Sequence, residues 1–130
     1  MPTGTSRPSK AQISTFRTDA NFDGKQYFLV KHNGDNDLDL CGAGELATGA
    51  LGQDVGVDAT GEKFVAVQIG GQVVVKAGGT CTAGTLLMSD GAGEAIAATD
   101  GNFAIGTCLV GGADGADIVV NWSPSYYETT

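Results

Sequence analysis

The placement of glycine constrains this chain more than any other feature. From Gly24 onward, short runs rich in Val, Ile, Phe and Tyr are separated by glycine-containing turns at intervals of roughly 8–12 residues. That spacing leaves no room for a sustained helical period and predicts an all-β chain, a sandwich or a barrel. The 21 glycines in 130 residues exceed the usual share of about 7%, and no Gly-X-Y period accompanies them. The excess is therefore turn material rather than a collagen-like repeat.

The pattern places a first strand at 26–32 (QYFLVKH) and a second at 37–41, where Leu38 and Leu40 alternate with Asp37, Asp39 and Cys41. Glycines 42, 44, 49, 52, 56 and 61 mark a looping excursion around a short strand near Val55–Val57. Runs 63–69 and 72–76 flank Gly70-Gly71, the strongest hairpin signal in the chain, because two residues tolerant of positive φ join two β-rich segments. Strands are further expected around 86–88, 94–98, 103–110 and 117–122, with Pro124 ending the regular pattern. The first two dozen residues hold Pro2, Gly4, Pro8 and many hydroxyl side chains, with few apolar anchors, and read as an extended arm. The expected organisation is an arm at 1–24, one domain at 25–122 and a C-terminal tail at 123–130, a length suited to a single core.

Charge narrows the partners. Arg7, Lys10 and Arg17 are the only charged residues in the first eighteen, whereas the remainder sets four basic against fifteen acidic side chains. A basic tail thus precedes an acidic body, and the net charge of −8 opposes binding to nucleic acid or anionic lipid, both of which need clustered Lys and Arg. The opening residues form no apolar leader, and no run approaches the roughly 20 apolar residues of a membrane-spanning helix. Cys41, Cys81 and Cys108 are odd in number and lack metal-site spacing, so buried thiols in a reducing cytoplasm are expected.

Catalytic chemistry finds no assembled set, and the chain is expected not to be an enzyme. His32 is the only histidine and sits at a predicted strand end; no serine occupies a G-x-S-x-G elbow. Asp35, Asp37 and Asp39 have the rhythm of a calcium loop, but Leu40 and Leu46 stand where such a loop needs glycine and glutamate. These carboxylates are expected to be solvated, with a bound cation as the alternative; no metal and no cofactor is assigned. The glycine clusters at 42–44 and 91–93 lack the lysine of a phosphate loop and read as turns. The triplet Asn121-Trp122-Ser123 matches a glycosylation acceptor, but no secretion leader precedes it.

Interaction chemistry is better represented. Ile13 and Phe16, flanked by Arg7, Lys10 and Arg17, form an apolar peg ringed by positive charge, or else part of a disordered tail. Trp122, Tyr126 and Tyr127 crowd the C-terminus, either as core plugs or as contact residues, since Tyr and Trp join apolar area to a polar tip.

Several segments carry a resemblance: the opening strand Gln26-Tyr-Phe-Leu-Val-Lys31, the turn Leu40-Cys-Gly-Ala-Gly-Glu45, and the paired runs Val65–Lys76. To these add the stretch Ala77–Asp90, the strand Ala104-Ile-Gly-Thr-Cys-Leu109 and the closing Asp117-Ile-Val-Val120. Over about residues 25–122 the chain resembles the capsid cement, or head decoration, proteins of tailed bacteriophages. The resemblance implies a small β-barrel or β-tulip-like domain, usually a homotrimer, on the outer surface of the virion head. There it would bridge neighbouring subunits of the major capsid protein, having been made in the host bacterial cytoplasm. A trimer that grips three neighbours gains stability by multivalency, and an arm that orders on binding would cover a wide surface, by strand addition for example. Two other readings share the same grammar: a phage tail or fibre module, and a glycan-binding β-module with Trp122, Tyr126 and Tyr127 as its platform.

Overall fold

The computed structural model describes residues 12–18, 22, 24–34, 37–52 and 63–128. Among them every regular element is a strand: β1 (Gln12–Thr18), β2 (Leu29–His32), β3 (Leu38–Leu40), β4 (Gly49–Leu51), β5 (Lys63–Gly70), β6 (Gln72–Lys76), β7 (Leu86–Ser89), β8 (Ala95–Ala97), β9 (Asn102–Val110) and β10 (Asp117–Tyr127). The first five strands form one antiparallel sheet in the order β1-β5-β4-β2-β3, and the last five a second in the order β6-β10-β9-β7-β8. The all-β expectation is met. The barrel is not: both sheets are open among the described residues, and no ladder joins one to the other.

Two cores explain this arrangement. Leu29, Ala50 and Cys41 of the first sheet meet Val73, Val75, Leu87, Ile105, Cys108, Ile118 and Val120 of the second, all buried. On its other face the first sheet curls around a private core of Phe22, Val30, Leu38, Leu51, Val65 and Val67, with Phe16, Leu40 and Ile69 half-buried beside it. The curl brings the edge strand β1 against β3 and its connection with β2 through side chains. The Thr18 hydroxyl donates to the Leu38 carbonyl at 3.0 Å, Arg17 lies 3.8 Å from the Asp37 carboxylate, and the Phe16 ring stands edge-on to His32 with centroids 5.3 Å apart.

The strongest hairpin signal is a sheet crossover instead. Gly70-Gly71, with Gly71 at φ +77°, carries the chain from one sheet to the other, and β5 and β6 share no ladder. Both edges of β5 are taken by β1 and β4, while Val73 and Val75 are drawn into the shared core. The ladder that a hairpin would have made is replaced by one side chain. Buried Gln68 donates through Nε2 to the Val74 carbonyl at 2.9 Å and accepts from the Val74 N–H at 3.0 Å. The next outward donor of β6, the Lys76 N–H, is taken by the Tyr27 carbonyl at 2.9 Å.

Other boundaries also shift. Tyr27 has φ 71°, in the left-handed region that side chains disfavour, so the first predicted strand begins only at Leu29. The glycine-rich excursion contains β4, whose Gly49 lies so close to the Gln68 carbonyl that a Cβ would collide with it. The expected strand near Val55–Val57 falls outside the described residues. Within the span 1–24 expected as an arm, residues 12–18 are the edge strand β1 and Phe22 is a core residue, so this part of it belongs to the body. Its few apolar side chains suffice because the ladder to β5 supplies most of its attachment. The regular pattern does not end at Pro124. β10 runs to Tyr127, and Pro124 occupies a register irregularity between Trp122 and Ser125, where a missing N–H is tolerated.

Replacing Gln68 by Leu keeps the volume and strands both polar groups of Val74. The expected loss of stability in urea denaturation is about 2–3 kcal/mol. The exposed Gln72, changed to Leu in the same strand system, should shift it by no more than about 0.5 kcal/mol. Equal effects at the two positions would remove Gln68 from its bridging role.

Candidate interaction surface

Alternation along β5 sends Val65 and Val67 into the private core and turns Phe64, Ala66 and Gln68 to the opposite face. Antiparallel register places Arg17, Thr15 and Ile13 directly across from those three. This face is closed at Gln68, beneath β6, and opens progressively beyond it. Phe64 is 68% exposed and Ile13 55%. The result is a strip of apolar side chains, Ile13, Ala66 and Phe64, crossing two strands, with Arg17 at one end.

A second exposed group lies at the C-terminal end of β10. Phe103 and Tyr126 are direct cross-strand partners whose rings meet edge to face, with centroids 5.2 Å apart and planes at 68°. Such a pair contributes about 0.5–1.5 kcal/mol beyond its buried area, yet Tyr126 remains 55% exposed. The pair is held by a rigid ladder and presented to solvent.

The expected contact residues are thus divided. On β1, Ile13 and Arg17 share the outer strip, whereas Phe16 turns to the private core and Arg17 is engaged with Asp37. On β10, Trp122 packs against the shared core, Tyr127 is half-buried and Tyr126 is exposed. β1 and β10 belong to different sheets, and Arg7 and Lys10 lie outside the described residues. Phe64 and Phe103 join the surface although sequence reasoning passed over them. Phe64 was legible, being out of phase with Val65 and Val67; Phe103 needed the β9–β10 register.

Groups with chemical potential are occupied structurally. His32 Nδ1 is 2.9 Å from the Thr48 hydroxyl, and all three cysteines are buried free thiols. Burial pushes each thiol above its ordinary pKa, away from the nucleophilic thiolate. Asp37 faces Arg17, and Asp39 accepts from the Leu40 N–H; Asp35 is outside the described residues. No group of three or more His, Cys, Asp or Glu side chains is gathered for a metal among the described residues.

Two carboxylates give the surface opposite pH responses. Glu45 is held below the usual carboxylate range by its hydrogen bond from Lys31 at 2.7 Å and by the Gly42 N–H at 2.8 Å. Its contribution is present above the unfolded-state pKa and is lost as pH falls through the lowered folded value. Glu94 is raised, first by burial and then by the charges of Asp90 and Asp114, against Lys25 and Lys76. Its folded form holds the proton more tightly, so stability declines as pH rises from the ordinary carboxylate range through the raised value. Glu94→Gln should therefore melt higher than the parent at neutral pH and converge with it in acid, while Glu45→Gln melts lower at neutral pH and converges likewise. Thermal melts across pH check both signs.

The sequence matches no protein-family model and no curated protein. Among solved structures, the chain is similar to the crystal structure of the head fiber gp8.5 N base in bacteriophage phi29. The TM-score is 0.69 at 18% identity, covering 86% of this chain and 95% of that one. At that identity the likeness is one of fold, spanning almost the whole of both chains.

Proposed function

We propose that this chain is a structural protein of a tailed-phage particle, a cement or decoration protein that binds the outer face of the assembled head and bridges neighbouring major capsid subunits as a homotrimer. The observation that carries the reading is the fold likeness to the base of a phage head fiber, over 86% of the chain. The resemblance of residues 25–122 to head decoration proteins points the same way. The surface chemistry suits a non-catalytic binder. Apolar side chains stand on strand ladders at Ile13, Phe64, Phe103 and Tyr126, and the three cysteine thiols are buried. In this reading the basic N-terminal residues meet an acidic shell surface, and the acidic body faces solvent.

A fibre module is the second reading, favoured because the structural neighbour is itself the base of a head fiber. The two separate by where the chain binds: between capsid subunits, or at a single attachment point that carries a further appendage.

The test is co-sedimentation with expanded, decoration-free heads. Removing residues 1–22 would take away β1 and the buried Phe22, so the informative truncation stops at residue 11. Full-length protein should bind saturably at many sites per head. Loss of residues 1–11 should weaken binding about tenfold or more while the melting temperature stays near the parent's, and Phe103→Ala with Tyr126→Ala should weaken it as much alongside the modest drop in melting temperature that losing the ring pair brings. Saturation at one or a few sites per particle would favour the fibre reading, and no association with any head form would overturn both in favour of glycan binding.

A further inference from the structure

The β2–β3 connection holds a chemically distinctive dipeptide. Asn33 is followed by Gly34, and no other asparagine in the chain precedes a glycine: Asn21 and Asn102 precede Phe, Asn36 precedes Asp, and Asn121 precedes Trp. Both Asn33 and Gly34 are exposed, Gly34 has φ +80°, and a Cβ at Gly34 would meet nothing within 4 Å. The Asn33 N–H is engaged with the Asp37 carbonyl at 2.8 Å, but the Gly34 N–H donates to no group among the described residues. Among the described residues the Asn33 amide is held only by a 3.5 Å contact from Nδ2 to the Asp39 carboxylate. A backbone nitrogen with no partner among the described residues, beside open space at Gly34, thus follows a weakly held side-chain amide.

We propose that Asn33–Gly34 is a spontaneous modification site, at which the folded protein converts this amide to an aspartyl or isoaspartyl residue. The Gly34 nitrogen gives its proton to solvent base and attacks Asn33 Cγ. The new C–N bond closes a five-membered succinimide as the Cγ–Nδ2 bond breaks, and the nitrogen leaves as ammonia, taking a proton from water. Water then opens the ring at either carbonyl. Overall one water is consumed and one ammonia released, with no oxidation or reduction.

The site matters because of what it adjoins. Hydrolysis replaces an amide donor that faces Asp39 with a carboxylate, turning a weak attraction into repulsion of like charges. The isoaspartyl product also adds one backbone atom before Asp37, whose carbonyl closes this turn and whose carboxylate faces Arg17 on β1. Ageing therefore makes the chain one charge more acidic and loosens the β1–β3 seam.

The experiment is prolonged incubation of the full chain in mildly alkaline buffer, followed by peptide mapping with tandem mass spectrometry. A urea-unfolded sample and Asn33→Gln are aged in parallel. The expected result is conversion at Asn33 ahead of the other four asparagines, with an acidic species on ion exchange that the Asn33→Gln protein does not form. Retention of the amide in the folded chain while the unfolded chain converts would overturn the proposal. So would the same acidic species arising equally fast in Asn33→Gln. Faster amide exchange in β1 of the aged parent, absent from aged Asn33→Gln, is the expected structural readout; unchanged exchange would overturn the coupling to the seam.

Discussion

The double hydrogen bond between the Gln68 side chain and the Val74 backbone is the constraint on which the two-sheet arrangement rests. A chain that leaves one sheet and enters another through two glycines gives up the ladder that a hairpin would have formed. The abandoned donors and acceptors then lie against apolar surface, where an unpaired backbone group costs about 1–3 kcal/mol. Gln68 has the geometry to replace a strand neighbour, because a primary amide offers a donor and an acceptor side by side, as the N–H and C=O of one extended residue do. Tyr27 extends the substitution by one step. Its N–H donates to Leu51 at 2.8 Å and its carbonyl accepts from Lys76, so one residue ties the first sheet to the second. The left-handed backbone that places those groups costs about 1–2 kcal/mol, which two hydrogen bonds across the sheets can offset.

Glycine spacing and β-branched runs made the all-β class legible, along with eight of the ten strands among the described residues. Each has enough residues to show alternation or a continuous apolar run between turn signals. β4 was hidden because Gly49, Ala50 and Leu51 are all buried, so they do not alternate, and two of them are small. β1 was hidden by its polarity: most of its side chains face outward and its attachment is backbone. The Gly70-Gly71 signal was correct as a turn and wrong as a pairing, since local φ preference is the same for a hairpin and a sheet crossover. Only the position of the shared core decides between them, and that is a long-range property.

The candidate surface was legible in its parts but not in its grouping. The sequence brought Ile13 together with Phe16, and Trp122 with Tyr126 and Tyr127, by proximity along the chain. Alternation puts Ile13 and Phe16, three residues apart, on opposite faces, and the register irregularity between Trp122 and Ser125 breaks the alternation that would have kept Trp122 and Tyr126 together. Phe16 and Trp122 become packing residues for that reason, while Ile13 gains Phe64 and Tyr126 gains Phe103 through register. Aromatic composition indicated candidate contact side chains, and pairing decided which of them stand exposed together.

The backbone also limits how each surface meets a partner. Beyond Gln72 the outer edge of β10 has no neighbouring strand among the described residues, and strand addition there would need outward N–H groups. The Trp122 N–H on that side is already given to the Gly71 carbonyl at 2.9 Å, and Pro124, two residues on, has none. Proline on an exposed edge is a recurrent guard against unwanted pairing. Backbone pairing at these two positions is therefore closed, and what this end presents to solvent is the side-chain pair Phe103–Tyr126. β1 differs: its seam contacts involve Phe16, Arg17 and Thr18, leaving the 12–15 end of an edge strand outside them. That end follows directly on the basic residues Arg7 and Lys10. Along the chain, basic residues and an edge strand thus lie next to each other, the features that charge-steered encounter and strand addition respectively require.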